Sequence, residues 1–99
     1  MVRQHKTLFL ASVKDFIAKL SITNQAKVAA AINMMVNGEF GSVYTKKLKG
    51  PVHELIVKSY RFVYYIKGNE IYFVNAFVKK SAKTPKRVIE HAEKLFKNF

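Results

Sequence analysis

The chain contains no cysteine and no tryptophan, only 4 glycines and 2 prolines, and 6 carboxylates against 18 lysines and arginines. Without cysteine there is no disulfide framework, no thiolate zinc site and no thiol nucleophile. The same absence fits a reducing compartment. So few glycines leave no Gly-rich phosphate loop. The three histidines form no cluster with carboxylates at metal-ligand spacing. Long hydrophobic runs are also missing. The longest mostly apolar stretch, residues 28–36, contains Asn33 and falls short of the roughly 20 residues that span a bilayer. Arg3 and Lys6 precede an apolar run over residues 7–13, as in a secretory leader. Lys14 and Asp15 end that run and no cleavage site follows, so it reads as part of the folded body.

What is present is a single-domain length, 99 residues, of which 49% are hydrophobic. That fraction is too high for a disordered basic tail. A domain of this size buries only about 60–65% of its unfolded surface, so helices and sheet must share one core. The net charge is +12, and so large a charge on so small a body attracts polyanions. Nucleic acid is the first candidate, an acidic protein the second and an anionic membrane surface the third. The plain alternative is a well-solvated lysine surface.

The first half has helical periodicity. Leu10, Val13, Phe16, Ile17 and Leu20 predict a helix over residues 12–20, with Ser12 and Asp15 as its capping box. Thr23 is the expected N-cap of a second helix, which runs through Ala26, Ala29, Ile32 and Met35 and stops at Asn37-Gly38. With a linker this short the two form an antiparallel hairpin. Residues 4–9 tolerate extension and are the candidate for an edge strand. The second half has period two, with strands over residues 53–59, 60–67 and 70–78 and a tight turn at Gly68-Asn69. A last helix, residues 86–99, follows Thr84 as N-cap and Pro85 as first helical residue. Val88, Ala92, Leu95 and Phe96 form its apolar face.

The charge is concentrated. Eleven basic residues and two carboxylates lie between Lys46 and Arg87, which places nine of the twelve net charges there. Strand alternation puts Leu55 and Val57 on one face and Glu54, Ile56 and Lys58 on the other. It likewise groups Phe62, Tyr64 and Ile66 toward a core, and Arg61, Val63, Tyr65 and Lys67 away from it. Lys58, Arg61 and Tyr65 are therefore expected to meet on an open face, with Lys79 and Lys80 at its rim. Cations beside an aromatic suit RNA, whose phosphates need charge and whose unstacked bases need a platform.

Ordered pieces of the second half form a pattern: Lys47-Leu48-Lys49-Gly50, Glu54-Leu55, Tyr60-Arg61 with Tyr64-Tyr65, Phe77-Val78-Lys79-Lys80, and Lys83-Thr84-Pro85 opening a helix with Glu90 and Ala92. In these the chain resembles the RelE/HigB-like bacterial toxins, and among them the phage-derived killer-protein branch. The resemblance implies one α+β domain over residues 1–99, RelE-like, with a helical hairpin packed on a small antiparallel meander and a C-terminal helix. It implies a cytoplasmic toxin of a toxin–antitoxin pair that cuts mRNA on the ribosome, with no metal or other cofactor. Its partners are then ribosome, mRNA and a cognate antitoxin, often a helix-turn-helix, HigA-like protein, and no membrane.

Internal cleavage of RNA needs a base for the 2′-OH, a cation for the phosphorane and an acid for the 5′-oxygen, and preorganised charge is usually the largest contribution. Arg61 matches the family's strand arginine and is a bidentate phosphate partner. Lys58 and Lys80 join it in the candidate catalytic set, and Tyr65 stacks on a base or gives a proton. Lys46, Lys47, Lys49, Lys79, Lys83 and Lys86 are the candidate RNA-binding residues. His53 suits acid–base work by its chemistry, although alternation sets it on the Leu55/Val57 side. His5 and His91 read as surface residues. Two positions depart from the pattern: Ile56 stands where relatives often have Arg, and Asn75 where they often have His. They motivate an alternative, a non-catalytic basic module for RNA or an acidic protein. A DNA-contacting autorepressor is weaker, because no base-reading helix is evident.

Overall fold

The computed structural model describes residues 4–98. Arg3 of the leader-like opening and Phe99 of the predicted last helix lie outside them. The elements are β1 (Lys6–Phe9), α1 (Ala11–Ala18), α2 (Ile22–Val36), a 3-10 turn (Phe40–Ser42), β2 (Tyr44–Lys49), β3 (Val52–Val57), β4 (Tyr60–Lys67), β5 (Glu70–Val78) and α3 (Lys86–Asn98).

Local chemistry sets the helix ends. α1 starts before Ser12, behind an extended Leu10 whose side chain makes no cap, so the expected capping box is not formed. Ser21, not Thr23, caps α2: it is extended and its hydroxyl accepts the Asn24 amide at 3.1 Å. The Gln25 side chain then donates back to the carbonyls of Ala18 and Leu20, closing the hairpin. The other end of α2 follows the sequence. Gly38 has φ 80°. Its amide bonds the Met35 carbonyl, and the Glu39 amide bonds that of Met34. That is a Schellman stop, which needs a left-handed residue.

The sheet order is β1-β5-β4-β3-β2. β2 to β5 form an antiparallel meander, but β1 pairs parallel with β5. The predicted wholly antiparallel sheet is thus mixed at one edge, because the whole helical hairpin and meander separate β1 from its partner. β2 adds a strand at the opposite edge.

Both sheet faces are covered. Val13, Val28 and Met35 of the hairpin pack on Leu55, Phe62, Tyr64, Ile71 and Phe73. Val88 and Ala92 of α3 pack on the other face against Val52, Val63, Tyr65 and Val74. Alternation grouped Val63 and Tyr65 correctly, but their face is not open, because the apolar stripe of α3 lies on it. Among the described residues no helix is long and apolar enough to cross a membrane.

Candidate nucleic-acid interface

Antiparallel register brings one row together across four strands. Tyr44 lies opposite Ile56, Ile56 opposite Arg61, and Arg61 opposite Phe77. Directly opposed residues share a face. The neighbouring row, Lys46, Glu54, Val63 and Asn75, shares it too. This is the α3 side of the sheet. Beyond it, β5, the loop that follows and the first turns of α3 enclose a cleft of about 640 Å³. Asn75 and Phe77 supply its strand wall, Lys79, Lys80 and Lys83 its loop, and Arg87 and His91 its helical wall. Its lining contains no carboxylate.

Arg61 is only 9% exposed. Its Nη1 donates to the carbonyls of Lys58 at 2.9 Å and Tyr60 at 3.0 Å, and its Nε is buried without a partner. Neutral carbonyls orient the guanidinium without neutralising it. Among the described residues it has no carboxylate partner, so its charge stays available to an anion. The Lys79 amide bonds the Ser59 carbonyl at 2.8 Å. This pins the start of the loop lysines to the turn that holds Arg61.

The other candidates divide. Lys80, Lys79 and Lys83 meet in the cleft. Lys46 shares the sheet face of Arg61 from the edge strand, whereas Lys47 opposes His53 on the other face. Lys49 reaches Glu93 at 3.7 Å, and Lys86 is exposed at the start of α3.

Two expected placements are corrected. Lys58 occupies the turn with φ 56°, and its amine donates to Asn24 of α2 at 3.2 Å. It therefore turns toward the helical hairpin and does not join Arg61 and Tyr65. Tyr65 is 1% exposed, stacked on Tyr72 at 5.0 Å and edge-on to Phe96 at 5.2 Å. Burial, with a smaller push from Tyr72, raises its phenol above the ordinary tyrosine pKa. His91 is exposed, as its surface reading expects, and it also lines the cleft. His53 does lie on the Leu55 side, stacked on Tyr64 at 5.6 Å, and its Nδ1 donates to the Pro51 carbonyl at 3.0 Å. It is on the opposite face from the cleft lysines. Arg87 and His91 were missed although helical spacing places both, four residues apart, on one side of α3. Among the described residues no group of three or more His, Asp and Glu is placed to hold a metal ion.

The cleft loop is anchored from below. Glu54 is 1% exposed and accepts the Thr84 hydroxyl at 2.7 Å. Thr84 is spent on this bond and is not the helical N-cap that the sequence suggested; the Pro85 carbonyl accepts the amides of Val88 and Ile89. A buried carboxylate stripped of its donor costs about 1–3 kcal/mol. Thr84→Val is accordingly expected to lower unfolding stability by about that amount, and Thr84→Ser to preserve it. Urea denaturation of the two variants checks this.

A two-helix hairpin and a C-terminal helix around this five-stranded sheet form the RelE-like fold. The chain superposes with a TM-score of 0.63 on a chain of the RelB–RelE antitoxin–toxin complex from Methanococcus jannaschii, at 16% identity, covering 85% of this chain and 96% of that one. Residues 15–97 match the family model of phage-derived Gp49-like proteins (DUF891), and the chain belongs to that family. Among curated proteins none matches it.

Proposed function

We propose that this chain is the toxin of a toxin–antitoxin pair, and that it cuts mRNA on the translating ribosome without a metal. Its family and its RelE-like fold support the toxin reading. The observation that carries the RNA chemistry is the cation-lined cleft beside an Arg61 held only by backbone carbonyls. In the proposed reaction the 2′-oxygen attacks the adjacent phosphorus, the P–O2′ bond forms and the P–O5′ bond breaks. A base takes the 2′ proton and an acid protonates the departing 5′-oxygen. Arg61 stabilises the charge of the phosphorane. Lys79, Lys83 and Arg87 hold flanking phosphates, and Lys80, exposed on the cleft loop, exchanges protons with the reacting oxygens.

The partner is a cognate antitoxin of the HigA-like, helix-turn-helix kind, laying an acidic segment over the same face. That the similar structure is an antitoxin–toxin complex supports such a partner. Ribosome and mRNA place the activity in the cytoplasm.

One observation favours a second reading. Asn75 sits in the cleft and His53 on the opposite face, which leaves His91 as the cleft's one imidazole. A binding module without cleavage needs no such group.

A cell-free translation reaction separates the two readings. The toxin cuts mRNA only while it is being translated and leaves 5′-hydroxyl ends. The binding module retains labelled RNA with a steep loss of affinity in salt, and leaves the transcript intact.

A further inference from the structure

We propose that Tyr44 is the base-stacking platform of this interface, taking an unpaired nucleobase of an RNA strand whose phosphates follow Arg61 and the cleft lysines. The proposal rests on the RNA-cleaving reading and names a contact within it. Tyr44 is 80% exposed, and no other Phe or Tyr among the described residues is exposed. Its side chain makes no hydrogen bond or ring contact among the described residues. The remaining tyrosines all make one: Tyr60 with Asn24 and Phe16, Tyr64 with His53, and Tyr65 with Tyr72. Edge strands are ordinarily blunted by charge, and β2 does this with Lys46, Lys47 and Lys49. A bare aromatic at its first residue runs against that device.

Its position gives the aromatic a use. Tyr44 shares a row and a face with Ile56 and Arg61. It stands two strand spacings from Arg61, about 10 Å across the sheet. Between them lies half-buried Ile56. Tyr44 and Ile56 thus form an apolar surface with Lys46 on one side and Arg61 on the other. A flat base with a charged backbone fits such a surface, since stacking needs a π-face and the phosphates need the flanking cations. Tyr65, the aromatic expected for this role, lies under α3.

The test is anisotropy of a labelled single-stranded RNA oligonucleotide bound to the purified chain, with an abasic version of the same oligonucleotide beside it. Tyr44→Ala is expected to weaken binding of the intact strand by roughly 5- to 100-fold, the range for one lost stacking contact. The salt slope stays unchanged because no phosphate contact is lost. Tyr44→Phe binds as the native chain does, and the Tyr44→Ala defect vanishes on the abasic strand. Tyr44→Trp supplies the sole tryptophan of the chain, whose emission the intact strand quenches. If the native chain binds RNA but Tyr44→Ala binds equally well, or loses affinity equally for the abasic strand, the platform is refuted and the RNA reading stands. If the native chain binds neither strand and Tyr44→Trp shows no quenching, the platform is refuted, and an uncut transcript in the cell-free translation reaction refutes the RNA-cleaving reading with it.

Discussion

Arg61→Ala is expected to lower the rate of mRNA cleavage by about 10²–10³-fold, the usual consequence of removing one preorganised group that meets developing charge. The expectation comes from how the guanidinium is held. Two backbone carbonyls fix it, it is largely buried, and among the described residues it forms no ion pair with a carboxylate. A cation so placed needs little reorganisation when the phosphorane forms. Arg61→Lys is expected to recover only part of the rate, because an ammonium cannot span two phosphate oxygens or reproduce the planar fork. RNA binding should fall much less than cleavage, since Lys79, Lys80, Lys83 and Arg87 remain. Single-turnover cleavage on programmed ribosomes, with binding measured alongside, checks the separation. Equal loss of binding and cleavage would make Arg61 a binding residue only.

The second large effect falls on stability. Tyr65→Ala is expected to cost about 3–5 kcal/mol, the range for emptying a buried aromatic site. Domains hold only about 5–15 kcal/mol in total, so much of the protein should be unfolded at moderate urea concentrations. The ring fills the space between sheet and α3, against Tyr72 and Phe96, and its loss also frees α3, which carries Arg87 and His91. Tyr65→Phe keeps the ring and is expected to fold and cleave like the native chain. A phenol acting on substrate would give the opposite pattern, with Tyr65→Phe folded and inactive.

Much of this fold is legible in the sequence where local chemistry decides. Asn37-Gly38 stops α2, Gly68-Asn69 turns the hairpin, and the alternation through residues 61–67 groups Phe62, Tyr64 and Ile66 apart from Arg61, Val63 and Tyr65, as observed. The failures share a cause, which is that a distant partner decides. β2 carries only Tyr44 and Leu48 as hydrophobic residues, with three polar ones between them, so period two leaves little trace. The ladder to β3 makes it a strand. β1 runs parallel to β5, a pairing across more than 60 positions of sequence that no local pattern encodes. The apolar face of α3 was clear, but nothing local says which sheet face it covers. That choice turned Tyr65 from an expected surface group into core.

The site was legible in the same uneven way. Arg61, Lys79, Lys80 and Lys83 come from the resemblance and a run of charge, and three of them meet in the cleft beside the first. The Lys58 backbone adopts φ 56° without being glycine, and Asn24, 34 positions away, decides where its amine goes. Glu54 and Thr84 were separate pieces of one family pattern. Their hydrogen bond gives a physical reason for both.

The proposed reaction is cleavage of translated mRNA through Arg61. It is tested most directly by inducing the native chain and Arg61→Ala in bacterial cells and mapping new 5′ ends on one translated transcript by primer extension. Cuts within codons are expected for the native chain, abolished by Arg61→Ala with the variant folded and present at the same level. An uncut transcript in the presence of folded native protein, or the same cuts with Arg61→Ala, would contradict it.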